Sequence, residues 1–190
     1  MPLRDVTLGE KGLLMYVFGA FTLPFDKLRV DTNDSHTGGE RNSITPFEIA
    51  YMAPVRYRQD YSNPSVDEET RAIFIHEMTH VWQFYHDYHK IAQAVWQYVS
   101  NFGDYSKSYI YDVSASKDFD DYNMEQQAAI VQDWWRLTHN LPTKYANPPV
   151  ASFWLYDDFL YFIRASGPPQ PESTGEDLAN GLGQVLANSF

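Results

Sequence analysis

The sequence predicts a single α+β domain built around two functional helices. Three observations predict it: a long apolar helical run that begins near Val66, a second stretch with apolar residues at helical spacing between Met124 and Trp135, and two short β-type stretches in the first third of the chain. A chain of 190 residues with 44% hydrophobic residues can form one core. We expect this domain to cover residues 1–166, and a flexible tail, which begins with the sequence GPPQP, to cover residues 167–190.

The apolar stretch near the N-terminus is predicted to be a short helix rather than a cleaved signal peptide. Thr7 and Glu10 have the spacing of a capping box, and Gly19 is a typical residue at which a helix ends. Asp5 and Glu10 are acidic where a signal peptide is basic, and no small-residue cleavage site follows cleanly. The apolar run is also too short to cross a membrane. We therefore expect synthesis in the cytoplasm without a cleaved signal.

Two strands are predicted between this helix and the long one. The first covers Leu28 to Asp31, and the second lies within Ile44 to Met52, after a polar loop rich in Gly, Asn and Ser. Pro46 limits the second strand to the edge of a sheet. Such an edge could hold an extended peptide by strand addition, and ordinary sheet packing explains the pattern equally well.

The long helix has a strong predicted start and a buried character. Ser65 and Glu68 have the spacing of a capping box, which predicts that the helix begins near Val66. Acidic residues fill its first turn, where the helix dipole favours negative charge. The residues that follow are apolar on nearly every side, as far as about Lys90, which is typical of a helix in the middle of a domain.

This helix carries the sequence HEMTH, from His76 to His80. Residues four apart lie on one face of a helix, so the two imidazoles can bind one metal ion, and the geometry suits zinc. Glu77 is rotated about 100° around the helix, where it could act as a general base on water bound to the metal. The alternative is a pair of hydrogen-bonded core histidines, which would leave the costly buried carboxylate of Glu77 unexplained.

A zinc site needs at least a third protein ligand, and the best candidate is Glu125. The chain has no cysteine, so that only histidine and carboxylate ligands remain. Glu125 lies at the edge of the buried stripe of the second helix, which is formed by Met124, Ala128, Val131 and Trp135. The alternative is a solvated glutamate in the first turn, stabilised by the helix dipole.

Two sequences in these helices, FIHEMTHVWQ from Phe74 to Gln83 and EQQA from Glu125 to Ala128, carry a family resemblance. They resemble the bacterial Vgr-related proteins, which are zincin-like metallopeptidases associated with type VI secretion and Rhs elements. An H-E-x-x-H sequence followed by a glutamate on a later helix is also similar to the gluzincin pattern of zinc metallopeptidases. The resemblance covers roughly residues 5 to 140.

The resemblance implies a zincin-like fold with a zinc ion bound by His76, His80 and Glu125, and with Glu77 as the catalytic residue. It implies hydrolysis of peptide amide bonds, a peptide or protein substrate, export by a type VI-like route, and a secretion-apparatus or immunity protein as partner. Two alternatives stay open: hydrolysis of an amide that is not a protein backbone, such as a cell-wall peptide cross-link, and a zinc-stabilised binding or adaptor module with weak or lost catalysis. The net charge of −11 argues against binding to nucleic acid or to an anionic membrane surface.

One position departs from the gluzincin pattern. Many gluzincins have an acidic residue four positions after the glutamate ligand, where it orients a histidine, and this chain has Ala129 there. We expect Asp133 or a backbone carbonyl to orient a ligand histidine instead.

Five further residues are candidates with weaker support. Tyr109, Tyr111 or Tyr122 could donate a hydrogen bond to a developing oxyanion. His86 and His89 could form a second metal pair, but the helix dipole also favours histidines near a helix C-terminus, and we favour that interpretation.

Overall fold

The structure is a computed structural model that describes residues 3–32, 43, 45, 49–86, 108–113 and 117–169. Within these residues the helices are α1 (Leu8–Phe18), α2 (Glu68–His86), α3 (Met124–Thr138) and α4 (Asp157–Ala165). The strands are β1 (Arg4–Asp5), β2 (Arg29–Asp31) and β3 (Ile49–Tyr51). Two 3-10 turns cover Phe119–Asp121 and Phe153–Tyr156. Helices combined with a small sheet confirm the predicted α+β class.

The sheet has the order β1, β2, β3. β1 runs antiparallel to β2, and β2 runs parallel to β3 with Val30 opposite Ala50. Both of these side chains are fully buried, so the sheet contributes one face to the core. The two strands predicted from sequence are confirmed, and β3 is an edge strand among the described residues. Pro46 itself lies outside those residues.

The capping box predicted for α1 is confirmed. The backbone N–H of Glu10 donates to Thr7 Oγ1 at 3.1 Å, and the N–H of Thr7 donates to Glu10 Oε2 at 2.7 Å. The helix ends at Gly19, whose φ of 88° is a conformation that favours glycine. The buried carboxylate of Glu10 also pairs with Arg4 and accepts the N–H of Tyr61 at 2.8 Å. One residue thus connects β1, α1 and the segment that leads to α2.

The prediction that Ser65 caps the start of α2 is wrong. α2 begins at Glu68, later than predicted, because Asp67 provides the cap: its carboxylate accepts the N–H and the hydroxyl of Thr70, both at 2.8 Å. Ser65 is not the cap, because its N–H and hydroxyl both donate to Asn63 Oδ1 at 2.9 Å. The predicted burial is confirmed, since every residue from 70 to 83 is buried.

The second predicted helix is confirmed as α3, which packs along α2. Its start is fixed by a capping box in which Asn123 and Gln126 exchange hydrogen bonds at 2.9 and 3.1 Å. Ala128 and Ala129 are fully buried, and their small side chains allow α3 to approach α2 closely. These two helices form the framework of the candidate site.

Several predictions fall outside the described residues: the end of α2 near Lys90, the position of His89, and most of the tail at 170–190. Among the described residues, no helix combines the length and the apolar character needed to span a membrane.

Candidate metal centre

Three side-chain atoms from two helices meet at one point. His76 Nε2 and His80 Nε2 are 3.2 Å apart, and Glu125 Oε2 lies 3.4 Å from the first and 3.3 Å from the second. An ion bound tetrahedrally with bonds of about 2.0 to 2.1 Å holds its ligand atoms about 3.3 to 3.4 Å apart. The three atoms therefore form one face of such a tetrahedron, and the group could bind a metal ion.

The two helices supply these atoms for simple geometric reasons. His76 and His80 are one turn apart on α2, with ring centroids 4.9 Å apart and ring planes at 83°, so both Nε2 atoms point to the same place. Glu125 lies in the first turn of α3, where the capping box fixes the backbone. The structure thus brings together the three residues that the sequence pattern selected as ligands.

Burial makes the charges of this group strongly interdependent. Burial raises the pKa of Glu125, but His80 and His76 outweigh it and hold that pKa well below its usual range. Burial lowers the pKa of His80, but Glu125 outweighs it and raises that pKa to about 9. The metal-free group therefore contains a carboxylate paired with a protonated imidazole. A cation that binds here has to replace that proton.

Glu77 lies beside this group. Its side chain is buried, and the hydroxyl of Thr45 donates to Glu77 Oε2 at 2.9 Å. Burial raises the pKa of Glu77, although the neighbouring His76 and His80 act in the opposite direction. A carboxyl group with a raised pKa, held in one orientation, is suited to accept a proton and to return it.

A residue that the sequence analysis did not select orients His80. This residue is Gln83, which follows His80 by three residues on the same helix face, and its Oε1 lies 2.7 Å from His80 Nδ1. The signal was available, since a glutamine one turn after a ligand histidine on a buried helix can reach its outer nitrogen. His76 differs, because its Nδ1 is buried with no hydrogen-bond partner among the described residues.

Of the two partners predicted to orient a ligand histidine, Asp133 or a backbone carbonyl, the structure excludes Asp133. Its two oxygens accept the backbone N–H groups of Lys144, Tyr145 and Ala146 at 2.7, 2.9 and 3.1 Å. They also accept the hydroxyl of Tyr111 at 2.9 Å. The carboxylate is fully committed to holding the segment after α3.

The three candidate tyrosines have different positions. Tyr111 bonds to Asp133 and Tyr156, and the hydroxyl of Tyr122 donates to the carbonyl of Asp112 at 2.7 Å. Tyr109 lies at the site: its ring centroid is 5.7 Å from that of His76, and its hydroxyl bonds to the side chain of Glu125. Burial and the two carboxylates of the site, that of Glu125 first, raise the pKa of Tyr109, so its hydroxyl stays a proton donor.

His86 has a structural contact. Its Nε2 donates to the carbonyl oxygen of Thr22 at 2.7 Å, and its ring stacks on Trp82 with centroids 5.1 Å apart. In the part of the chain that the structure describes, His86 is not part of any group that could hold a metal ion.

Comparison with known proteins gives two matches. No protein-family model matches the chain. The type VI secretion system spike protein VgrG2b of Pseudomonas aeruginosa is 38% identical over 136 residues, which are 70% of this chain and 13% of that protein. The chain therefore spans a small part of this relative. The solved effector domain of Pseudomonas aeruginosa VgrG2b aligns with a TM-score of 0.57 and 28% identity, over 72% of this chain and 75% of that one. Together these similarities relate the chain in sequence to VgrG2b, and in sequence and fold to its effector domain.

Proposed function

We propose that the chain is a zinc metallopeptidase with a zincin-like fold, which hydrolyses peptide amide bonds. The observation that carries the proposal is the set of three ligand atoms, 3.2 to 3.4 Å apart, with the carboxylate of Glu77 beside them. Two imidazoles and one carboxylate, without cysteine, are a donor set that catalytic zinc sites use, with a further position left open. His76, His80 and Glu125 would hold the ion.

The residues around the ligands then have separate roles. When bound, zinc supplies a Lewis acid that polarises the scissile carbonyl and acidifies water. Glu77 accepts a proton from the water whose oxygen attacks the carbonyl carbon. It then gives that proton to the amide nitrogen as the C–N bond breaks, which releases a carboxylate and an amine. Thr45 keeps the Glu77 carboxylate in one orientation.

Tyr109 is the candidate for stabilising the negative charge that develops on the carbonyl oxygen. Its hydroxyl lies at the ligand group and remains protonated. Its ring stacks on Tyr145 with centroids 5.4 Å apart, which restricts its motion. A preorganised donor of this kind stabilises a transition state more than the substrate.

The comparisons support an exported effector. The relative is a spike protein of the type VI secretion system, and the similar solved structure is an effector domain. We therefore infer export by a type VI route, with the secretion apparatus and an immunity protein as partners in addition to a peptide or protein substrate.

The test is the variant Glu77→Gln, compared with Glu69→Gln on the same helix, whose side chain is 42% exposed. Zinc content, turnover of denatured protein and turnover of purified cell wall are measured for both variants and the unmodified chain. We expect one zinc per chain throughout, and turnover reduced about 10² to 10⁴-fold in Glu77→Gln alone.

The pattern of results also identifies the substrate class. Cleavage of denatured protein indicates a protease, and cleavage of cell wall alone indicates a peptide cross-link as substrate. Full turnover in Glu77→Gln would contradict the assigned role. Zinc binding without turnover of either substrate by the unmodified chain would instead support a zinc-stabilised binding module.

A further inference from the structure

We propose that Gln83 is a positioning residue that fixes the tautomer of His80 and connects it to the helix that carries Glu125, and that it thereby sets the metal affinity of the site. The proposal rests on the proposed zinc site. It goes beyond that site because it assigns a role to two uncharged residues, Gln83 and Gln127, which we call the amide relay.

The amide relay is a continuous chain of buried hydrogen bonds. Gln83 Oε1 lies 2.7 Å from His80 Nδ1, and Gln83 Nε2 donates to Gln127 Oε1 at 2.8 Å and to the carbonyl of Met124 at 3.0 Å. Gln127 Nε2 donates in turn to the carbonyl of Phe119 at 3.0 Å. Both glutamines are at most 2% exposed, so water does not compete for these bonds.

The two backbone carbonyls determine the direction of every bond in the relay. A carbonyl oxygen can only accept, so the carbonyl of Met124 requires the NH₂ group of Gln83. The oxygen of Gln83 then faces His80 Nδ1, which has to carry the hydrogen. The carbonyl of Phe119 fixes Gln127 in the same way, so that its oxygen accepts from Gln83.

This direction has a chemical consequence at the other side of the imidazole. When Nδ1 carries the hydrogen of a neutral ring, Nε2 holds a lone pair, and Nε2 is the atom that faces His76 and Glu125. With the opposite amide orientation the hydrogen would be on Nε2, where it would prevent metal binding. The backbone of α3 therefore selects the ligand form of a histidine on α2.

The relay also couples the two halves of the site mechanically. Met124, whose carbonyl accepts from Gln83, is the residue before Glu125, and Gln127 is two residues after Glu125. A displacement of α3 that moves Glu125 away would thus also break the bonds that orient His80. Removal of such an outer partner typically lowers metal affinity 10 to 100-fold.

The experiment measures zinc affinity by competition with a chelating dye, in the full chain, for Gln83→Met and the matched control Gln132→Met. Gln132 is a third buried glutamine, 1% exposed, on α3, and its Nε2 has no hydrogen-bond partner among the described residues. We expect zinc affinity to fall about 10 to 100-fold in Gln83→Met. The control is expected to stay within about twofold, because it belongs to no relay.

Two further measurements separate positioning from folding. Gln127→Met breaks the relay one step away from His80 and is expected to give an intermediate loss, which keeps the test open if Gln83→Met does not fold. The visible absorption of the Co²⁺-substituted protein is expected to change in Gln83→Met and Gln127→Met, because the ligand geometry changes, but not in Gln132→Met.

The outcomes distinguish this inference from the proposed function. Equal zinc affinity in the unmodified chain, Gln83→Met and Gln127→Met would overturn the role of the amide relay while leaving the metal site intact. An equal loss in Gln132→Met would also overturn it, since the effect would then come from any buried glutamine. Absence of zinc binding in the unmodified chain would overturn both.

Discussion

α3 carries two carboxylates that have opposite roles, the partly exposed Glu125 and the fully buried Asp133. Glu125 faces two imidazole nitrogens at 3.3 and 3.4 Å, whereas Asp133, eight residues later, accepts three backbone N–H groups and one hydroxyl at 2.7 to 3.1 Å. The partners decide the roles. The donors of Asp133 satisfy a structural acceptor, while the imidazole nitrogens around Glu125 can share their lone pairs with a cation once the proton of His80 is released.

A tyrosine accompanies each carboxylate. Tyr109 contacts Glu125 and His76. The hydroxyl of Tyr111 bonds to Asp133 and to Tyr156, and both of these distances are 2.9 Å. These tyrosines are two residues apart, so one short segment supplies both regions. Glu125 and Tyr109 are partly exposed, whereas Asp133 and Tyr111 are buried, so the two pairs differ in burial as well as in the identity of their neighbours.

The largest effect is expected for Glu125→Gln, which removes a charged ligand but keeps the size of the side chain. Zinc affinity should fall about 10³-fold, or about 4 kcal/mol, because four ligands share a total of about 10 to 16 kcal/mol in structural zinc sites. The metal-free protein should also lose stability at neutral pH, because the protonated imidazole of His80 loses its carboxylate partner. Zinc titration and urea unfolding of the same samples check both expectations; unchanged zinc affinity would remove Glu125 from the ligand set.

Asp133→Asn is the matched change at the structural carboxylate, and we expect it to leave zinc binding intact. The free energy of unfolding should fall by about 3 kcal/mol, because the amide NH₂ would face backbone N–H groups that then lack an acceptor. Zinc stoichiometry should stay at one per chain. If urea unfolding showed no loss, the hydrogen bonds of Asp133 would not stabilise the segment at 144–146.

The same variant has a testable pH dependence. Burial raises the pKa of Asp133 above its usual value, although its backbone partners act in the opposite direction. The native state therefore binds the proton of Asp133 more readily than the unfolded state does. The contribution of this proton to the free energy of unfolding is present at low pH and is lost as the pH rises through the raised pKa. Asp133→Asn should lack this part of the slope of stability against pH.

The sequence was sufficient to predict the elements that have local signals. The capping box of Thr7 and Glu10, the strands around Val30 and Ala50, and the helical spacing of His76 and His80 depend on residues close together in the chain. Each of these predictions is confirmed as structure. The capping residue of α2 was wrong because Asp67, two residues after Ser65, caps the helix, and only the structure shows that Ser65 bonds to Asn63 instead.

The missed parts of the site depend on contacts between distant segments. The spacing of Asp133 is compatible with a contact to a histidine. In the structure its carboxylate instead accepts backbone N–H groups of the segment at 144–146, which follows it by 11 to 13 residues. Gln83 is local to His80, but its second partner, Gln127, is 44 residues away. A pattern in one segment cannot show which distant donor or acceptor completes it.

The smallest effects are expected from Tyr109→Phe and Tyr111→Phe. Each removes one hydroxyl and keeps the ring, so the pair compares the site around Glu125 with the structural region around Asp133. Tyr109→Phe should lower kcat roughly 10²-fold, or about 2.7 kcal/mol, because a donor to the developing oxyanion is lost, and should leave the free energy of unfolding nearly unchanged. Tyr111→Phe should lower the free energy of unfolding by about 1 kcal/mol and leave kcat unchanged, because its hydroxyl bonds to Asp133 and Tyr156 and not to a ligand residue.

The two variants are informative only together. Each is the other's control, since both remove one hydroxyl from a tyrosine in the same segment, and steady-state kinetics and urea unfolding are measured on both. If Tyr111→Phe lost activity and Tyr109→Phe lost stability, the assignment of one region to chemistry and the other to folding would be reversed. If both variants lost both properties to the same extent, the segment that carries them would act as one unit, and the separation between the two carboxylates of α3 would not extend to their tyrosines.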